Sequence, residues 1–199
     1  PIDITLSGEI IDGFRSQLTG NLLQATDPGY DRARTIWNAM IDRRPALIAQ
    51  CMGTADVVAC MKFARKFNLL VSVRGGGHNV AGLSLANDAM LIDLSPMKWV
   101  HVNPVNQTAF VAPGATLRHL DHETQLYGLA TSTGINSTTG IAGLTLGGGF
   151  GWLSRSYGLA VDNLISAEVV TADGKVLQVN KKENADLFWA IRGGSGNFG

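Results

Sequence analysis

Two stretches of this chain combine residue types that can do chemistry. "VSVRGGGHNVAGL" (71–83) runs a β-branched segment into Gly75, Gly76 and Gly77, with Arg74 before them and His78 directly after. Glycine costs backbone entropy, so three in a row imply either positive φ or a close approach of backbone to a ligand. An imidazole behind them is a neutral nucleophile or a proton carrier near neutral pH. The second stretch, "TGINSTTGIAGLTLGGGFGWLSRSYGLAVDN" (133–163), holds eight glycines, and Ser137, Thr138 and Thr139 lie between the first two of them, Gly134 and Gly140. N–H groups left open by glycine, assisted by hydroxyls, can wrap a diphosphate without any lysine. Two separated loops suit a dinucleotide better than one terminal phosphate. Taken singly, each stretch also reads as packing alone: a tight turn after a buried strand, and a glycine-rich loop seating helix on sheet.

Composition narrows the field. Glycine, at 24 of 199 residues, is well above the usual share but clustered rather than periodic, which excludes collagen-like and low-complexity chains. Sixteen basic and sixteen acidic residues balance, with no basic stripe, so nucleic acid has no electrostatic footing as a partner. No apolar run is long enough for a membrane helix and no signal peptide opens the chain, so a cytoplasmic setting is the expectation. Cys51 and Cys60 fit neither a metal pair nor a disulfide framework, and Cys60 is expected as a buried helical thiol.

The elements that must position these loops follow from periodicity and punctuation. Residues 8–42 read as two helical pieces broken at "TDPGY", a lead-in over 1–35 with Arg32, Arg34, Arg43 and Arg44 on solvated faces. "PALIAQ", "LLVSVR" and "AMLIDL" read as short buried strands, and a helix capped by Thr54 and stopped by Asn68 separates the first two. Such alternation predicts a small, partly parallel sheet over 36–97. After residue 98 the pattern becomes antiparallel, with hairpins "KWVHVN"/"QTAFVAPG" and "AEVVTADGKVLQVN", the latter turning at Asp-Gly. One helix, "TLRHLDHETQLYG", capped by Thr116 and ended by Gly128, lies between them. The fold class is α+β, with two α/β subdomains.

Familiar nucleotide motifs fail. No P-loop exists, and the single G-x-G-x-x-G, "GSGNFG" at 194–199, follows a helical rather than a strand pattern. His119 and His122 lie one turn apart, but no further His or Cys completes a metal shell, so they read as a solvated helix face.

Five blocks in order, "VRGGGHN", "VAPGATL", "GINSTTGIAGLTLGGGFG", "GLAVDNLISAEVVTADGKV" and "DLFWAIRGGSGNFG", resemble the PCMH-type FAD-binding domain of oxidases related to vanillyl-alcohol oxidase and p-cresol methylhydroxylase. The similarity spans about residues 36–199 and is greatest to the berberine-bridge-enzyme-like branch. It implies a flavoprotein oxidoreductase holding FAD, with Arg74 to Asn79 as the first cofactor loop and His78 bonded covalently to the flavin 8α-methyl. It further implies a cofactor turn at Pro113, Gly114 and Ala115, and a segment from Gly134 through Asn136, Ser137, Thr138, Thr139 and Gly140 to Gly143 along flavin and diphosphate. Val169 is implied to meet the adenine through its backbone. Such enzymes take hydride from sugars, alcohols or amines, and the resemblance puts the small-molecule substrate domain and a Tyr base beyond residue 199. Two positions depart from the branch. Asn136 stands where many members carry a second flavin-linking cysteine, and Thr139 stands where Val or Leu is usual at the position tied to oxygen access. Rival readings are a non-covalent FAD-domain reductase of the type acting on peptidoglycan precursors, against which His78 argues, and a dinucleotide-binding module without redox turnover.

Overall fold

The computed structural model describes residues 6–199. Its first half is built as α1 (Gly8–Arg15), β1 (Asn21–Leu23), α2 (Tyr30–Ala33), β2 (Leu47–Gln50), α3 (Thr54–Lys66), β3 (Val71–Arg74) and β4 (Met90–Asp93). The strands form one sheet in the order β1-β2-β4-β3, parallel from β2 through β3 and antiparallel at the β1 edge. β2 and β4 are buried along almost their whole length, as expected of unbroken apolar runs in parallel sheets. The α3 residues Cys60, Phe63 and Ala64 pack on the sheet beside Phe14 of α1, whose ring stacks on Phe63 at 4.0 Å.

The N-terminal region differs from the helical lead-in that local pattern predicts. Residues 21–23 form an edge strand instead, because their backbone pairs with β2 in the register Leu22↔Ala49. Asp56 ties this strand to α3, accepting the N–H groups of Thr19, Gly20 and Met52 at 2.9–3.1 Å. The second helical piece ends at Ala33. Beyond it the chain follows the glycine loop, with Trp37 N–H donating to Gly77 O at 3.1 Å. Arg34 and Arg43 are not on solvated faces: Arg34 pairs with Asp31 and Asp42, and Arg43 donates to the carbonyls of Gly82 and Leu85. α3 is capped by Gly53, one residue before the expected Thr54, and it does stop at Asn68, which turns to φ +50°.

The second half contains β5 (Val100–Asn103), β6 (Thr108–Val111), α4 (Leu117–Thr124), α5 (Ile141–Leu146), α6 (Ser154–Tyr157), β7 (Ser166–Val170), β8 (Val176–Asn180) and α7 (Ala185–Gly194). Both predicted hairpins form, as two separate antiparallel ladders, and the second turns at Gly174 with φ +77°. Thr116 caps α4 in a reciprocal box with His119, and Gly128 ends the following helical turn in the left-handed region. His119 is thereby spent on capping, and no cluster of metal-ligating side chains occurs among the described residues. A second core of Val169, Val179, Phe188 and Ile191 joins β7, β8 and α7, with Leu146 of α5 packed against it. Among the described residues, no helix is long and apolar enough to cross a membrane.

Candidate functional site

Three loops meet where β3 leaves the first sheet. The 74–79 loop follows β3, the 113–116 turn follows β6, and the 134–143 segment leads into α5. The second and third are joined by backbone hydrogen bonds: Leu117 N–H to Thr139 O, Ile141 N–H to Ala115 O and Arg118 N–H to Ser137 O, at 2.9–3.0 Å. The first is pressed against both. A Cβ on Gly76 would lie 2.3 Å from Gly140 N, and one on Gly75 would lie 2.8 Å from Pro113 O. Only glycine lets these backbones touch. The N–H groups of Gly76, Gly77, His78 and Gly140 find no acceptor among the described residues. A buried or half-buried N–H without a partner is costly. These groups fit an anionic ligand such as a diphosphate.

His78 stands at the rim, half-buried. Its Nε2 lies 2.9 Å from Thr138 Oγ1 and its Nδ1 lies 3.5 Å from Thr139 Oγ1. Trp37 stacks on the ring, with centroids 5.4 Å apart and planes 23° from parallel. Burial lowers the imidazole pKa below its usual 6.5, so the neutral, nucleophilic form prevails at neutral pH.

Arg74 serves the loop from behind. Its guanidinium is buried and grips Asp93 of β4 through Nε at 3.1 Å and Nη2 at 2.6 Å, and it also donates to the carbonyls of Ala33 and Thr35. The side chain therefore points into the protein and leaves only the Arg74 backbone on the loop. Asn79, at the other end, accepts Leu83 N–H through Oδ1 at 3.0 Å and closes the following turn. Gly134 backs onto Leu144, where a Cβ would stand 2.5 Å from Cδ1, while Ser137 and Gly143 are exposed. Val169 lies apart from the three loops, paired with Leu177 in the β7–β8 hairpin, and reaches them through the core that holds Leu146.

Sequence reasoning missed Trp37, Asp93 and the contact of Thr138 with the imidazole. Trp37 is 59% exposed, and an aromatic beside Ile36, Ala39, Met40 and Ile41 carries no local signal for stacking on a residue 41 positions away. It also missed α5, because "IAGLTL" is only six residues long and set between Gly140 and Gly147, too short to be stable by itself, yet it forms one helix packed against α7.

Residues 45–180 match the family described as the FAD binding domain. The chain belongs to this family. It is the FAD-binding part of the FAD-linked oxidoreductases, in their berberine-bridge-enzyme-like branch. It is 37% identical over 92% of its length to (R)-6-hydroxynicotine oxidase of Paenarthrobacter nicotinovorans, and 38% identical over 85% to a carbohydrate oxidase of Microdochium nivale. The wild-type BBE-like 1 protein of Physcomitrella patens superposes with a TM-score of 0.89 at 29% identity, over 95% of this chain. The match covers 40%, 35% and 42% of those three proteins, so the chain spans about two fifths of such a relative. The FAD-binding family thus carries the glycine loops, and the open N–H groups between them fit its cofactor.

Proposed function

We propose that this chain is the cofactor-holding part of an oxidoreductase in which FAD is attached covalently at His78. The observation that carries this reading is the juxtaposition at the loop junction. Open N–H groups at Gly76, Gly77 and Gly140 adjoin a neutral, partly buried imidazole whose Nδ1 has, among the described residues, one distant hydrogen-bond neighbour. The loops bind the diphosphate through backbone N–H groups and the hydroxyl of Ser137, which explains why no lysine is needed. Trp37 and the two threonines orient the His78 ring, and the Arg74–Asp93 pair holds the start of the loop on the sheet edge. Val169 meets the adenine end through its backbone. When bound, FAD accepts hydride from a reduced-carbon substrate, and the protein contributes placement and exclusion of water.

Two relatives carry names that point to an amine-type substrate and to carbohydrate, and both chemistries fit a sugar, alcohol or amine as hydride donor. His78 is committed to the cofactor, so the base that takes the substrate proton comes from residues outside the three loops. A positioned base is worth about 10²–10⁴-fold in rate, and this chain by itself is expected to turn over substrate negligibly.

Acid precipitation tests the reading directly. Flavin colour is expected to stay in the pellet of the wild-type protein, and His78→Ala is expected to release it while retaining reversible FAD binding. Colour released from the wild type, or covalent flavin surviving in His78→Ala, would overturn covalent attachment at this residue. Phosphodiesterase digestion of the cofactor is expected to yield AMP; its absence would exclude FAD.

A further inference from the structure

The hydrogen bonds around His78 determine where its proton sits. The backbone N–H of Thr138 can only donate, and it donates to Asn136 Oδ1 at 3.0 Å, so the amide oxygen is the atom facing Thr138. The Thr138 hydroxyl lies 2.8 Å from the same oxygen. Two oxygens at that distance need a hydrogen between them, and an amide oxygen has none to give. The hydroxyl hydrogen is therefore committed to Asn136. What Thr138 Oγ1 turns towards His78 Nε2, 2.9 Å away, is a lone pair, so Nε2 must carry the ring hydrogen. A neutral imidazole has one N–H to place, and Nδ1 keeps its lone pair. The neighbour of Nδ1, Thr139 Oγ1 at 3.5 Å, is too distant to hold that lone pair firmly.

We propose that Asn136 and Thr138 are a positioning pair that holds His78 in the Nε2–H tautomer and leaves Nδ1 free to bond the cofactor. The second clause rests on the covalent reading above; the first is a property of the chain alone. In the bond-forming step, Nδ1 gives its lone pair to the 8α-methyl carbon, and that carbon loses one hydrogen as a proton. The two electrons of the broken C–H bond pass to the flavin ring. Dioxygen takes them up with that proton and a second proton from water, and leaves as hydrogen peroxide. The His78 ring, bonded at Nδ1 and still protonated at Nε2, is left as an imidazolium. Nε2 keeps its hydrogen on Thr138 throughout. Asn136, which replaces the second linking cysteine of bicovalent relatives, thus serves the first link instead of forming another. Its amide nitrogen, with the lone pair delocalised into the carbonyl, is no nucleophile.

The tautomer is read by long-range proton–nitrogen correlation on the full chain labelled with ¹⁵N-histidine and purified free of flavin. The Nε2–H pattern is expected at His78. Thr138→Val and Asn136→Ala each remove one link of the relay, and the tautomer ratio is expected to move towards Nδ1–H by about 2- to 12-fold, the worth of one net hydrogen bond. Thr138→Ser, which keeps the hydroxyl, is expected to restore it. Both positions, 136 and 138, lie on an exposed loop, so the three variants fold. In the holoprotein, the flavin-bearing peptide is expected to be linked through Nδ1, and at saturating FAD the covalent fraction is expected to fall in the valine and alanine variants. An Nδ1–H pattern in the wild type, or a ratio unmoved in Thr138→Val, would overturn the positioning pair. A linkage through Nε2 would overturn its second clause and leave the covalent reading standing. A wild type with the expected tautomer but no covalent flavin would remove the covalent reading and the second clause, and leave the relay intact.

Discussion

Replacing Gly76 by alanine forces the two glycine loops apart. The new Cβ would stand 2.3 Å from Gly140 N and 2.5 Å from Gly140 Cα, both backbone atoms. Van der Waals contact begins near 3.4 Å, so the loops must separate by about 1 Å. Gly140 cannot yield freely, because its neighbours are pinned by Leu117 N–H to Thr139 O and Ile141 N–H to Ala115 O, each at 2.9 Å. Overpacking against a rigid neighbour costs about 3 kcal/mol, the upper end of the usual span. In a chain of this size that lowers the melting temperature by about 6–12 °C. Gly143→Ala is the matched control. Its Cβ meets nothing within 4 Å inside α5, and alanine in a helix interior gains about 0.5–1 kcal/mol over glycine. Thermal unfolding of both flavin-free variants, followed by circular dichroism, makes the comparison. Gly76→Ala is expected to melt far lower and to lose FAD affinity, and Gly143→Ala to melt slightly higher. If Gly143→Ala alone also loses FAD affinity, its face of α5 touches the cofactor. Equal melting of Gly76→Ala and wild type would refute the backbone contact as the reason for glycine.

Arg74→Met leaves the Asp93 carboxylate buried without its counter-charge, which is expected to cost about 3–5 kcal/mol in urea unfolding; most of the loss should return in Arg74→Met/Asp93→Leu, and a single variant as stable as wild type would contradict the role given to the pair. Burial lowers the pKa of His78, and burial with nearby Lys98 and Arg118 lowers that of His119, both from 6.5. The unfolded chain therefore takes up protons first as pH falls through about 6.5, so the stability these residues allow is full above that value and declines below it until the folded pKa values are passed. Urea midpoints across this window should drop on acidification and drop less in His78→Gln; a midpoint that rises would reverse the sign. Cys51 and Cys60 are buried with their sulfurs 3.9 Å apart, and the Cys60 thiol and burial together push the Cys51 thiol pKa up. Iodoacetamide is expected to label neither in the folded protein and both in denaturant, and rapid native labelling would refute this.

The sequence by itself determined what is decided within a few residues. The Asp-Gly turn of the β7–β8 hairpin, the apolar stripe and Asn68 stop of α3, and the Thr116 cap of α4 all act at short range, and all appear where the pattern puts them. The glycine runs and His78 marked the site for the same reason, since a missing side chain and an imidazole are legible one residue at a time. Tertiary structure decided the rest. β1 is a strand because β2 offers it backbone partners 25–29 positions away, which overrides a local pattern read as helix. Arg74 turns inward because Asp93, 19 positions on, lies in the neighbouring strand, a contact that its place before three glycines does not announce. The proton of His78 is placed by Thr138, 60 positions away, and its ring plane by Trp37. Hydrogen bonds and stacking act over a few ångströms whatever the separation along the chain. Periodicity and capping cannot register such contacts, which exist only once the sheet edge has brought the three loops together.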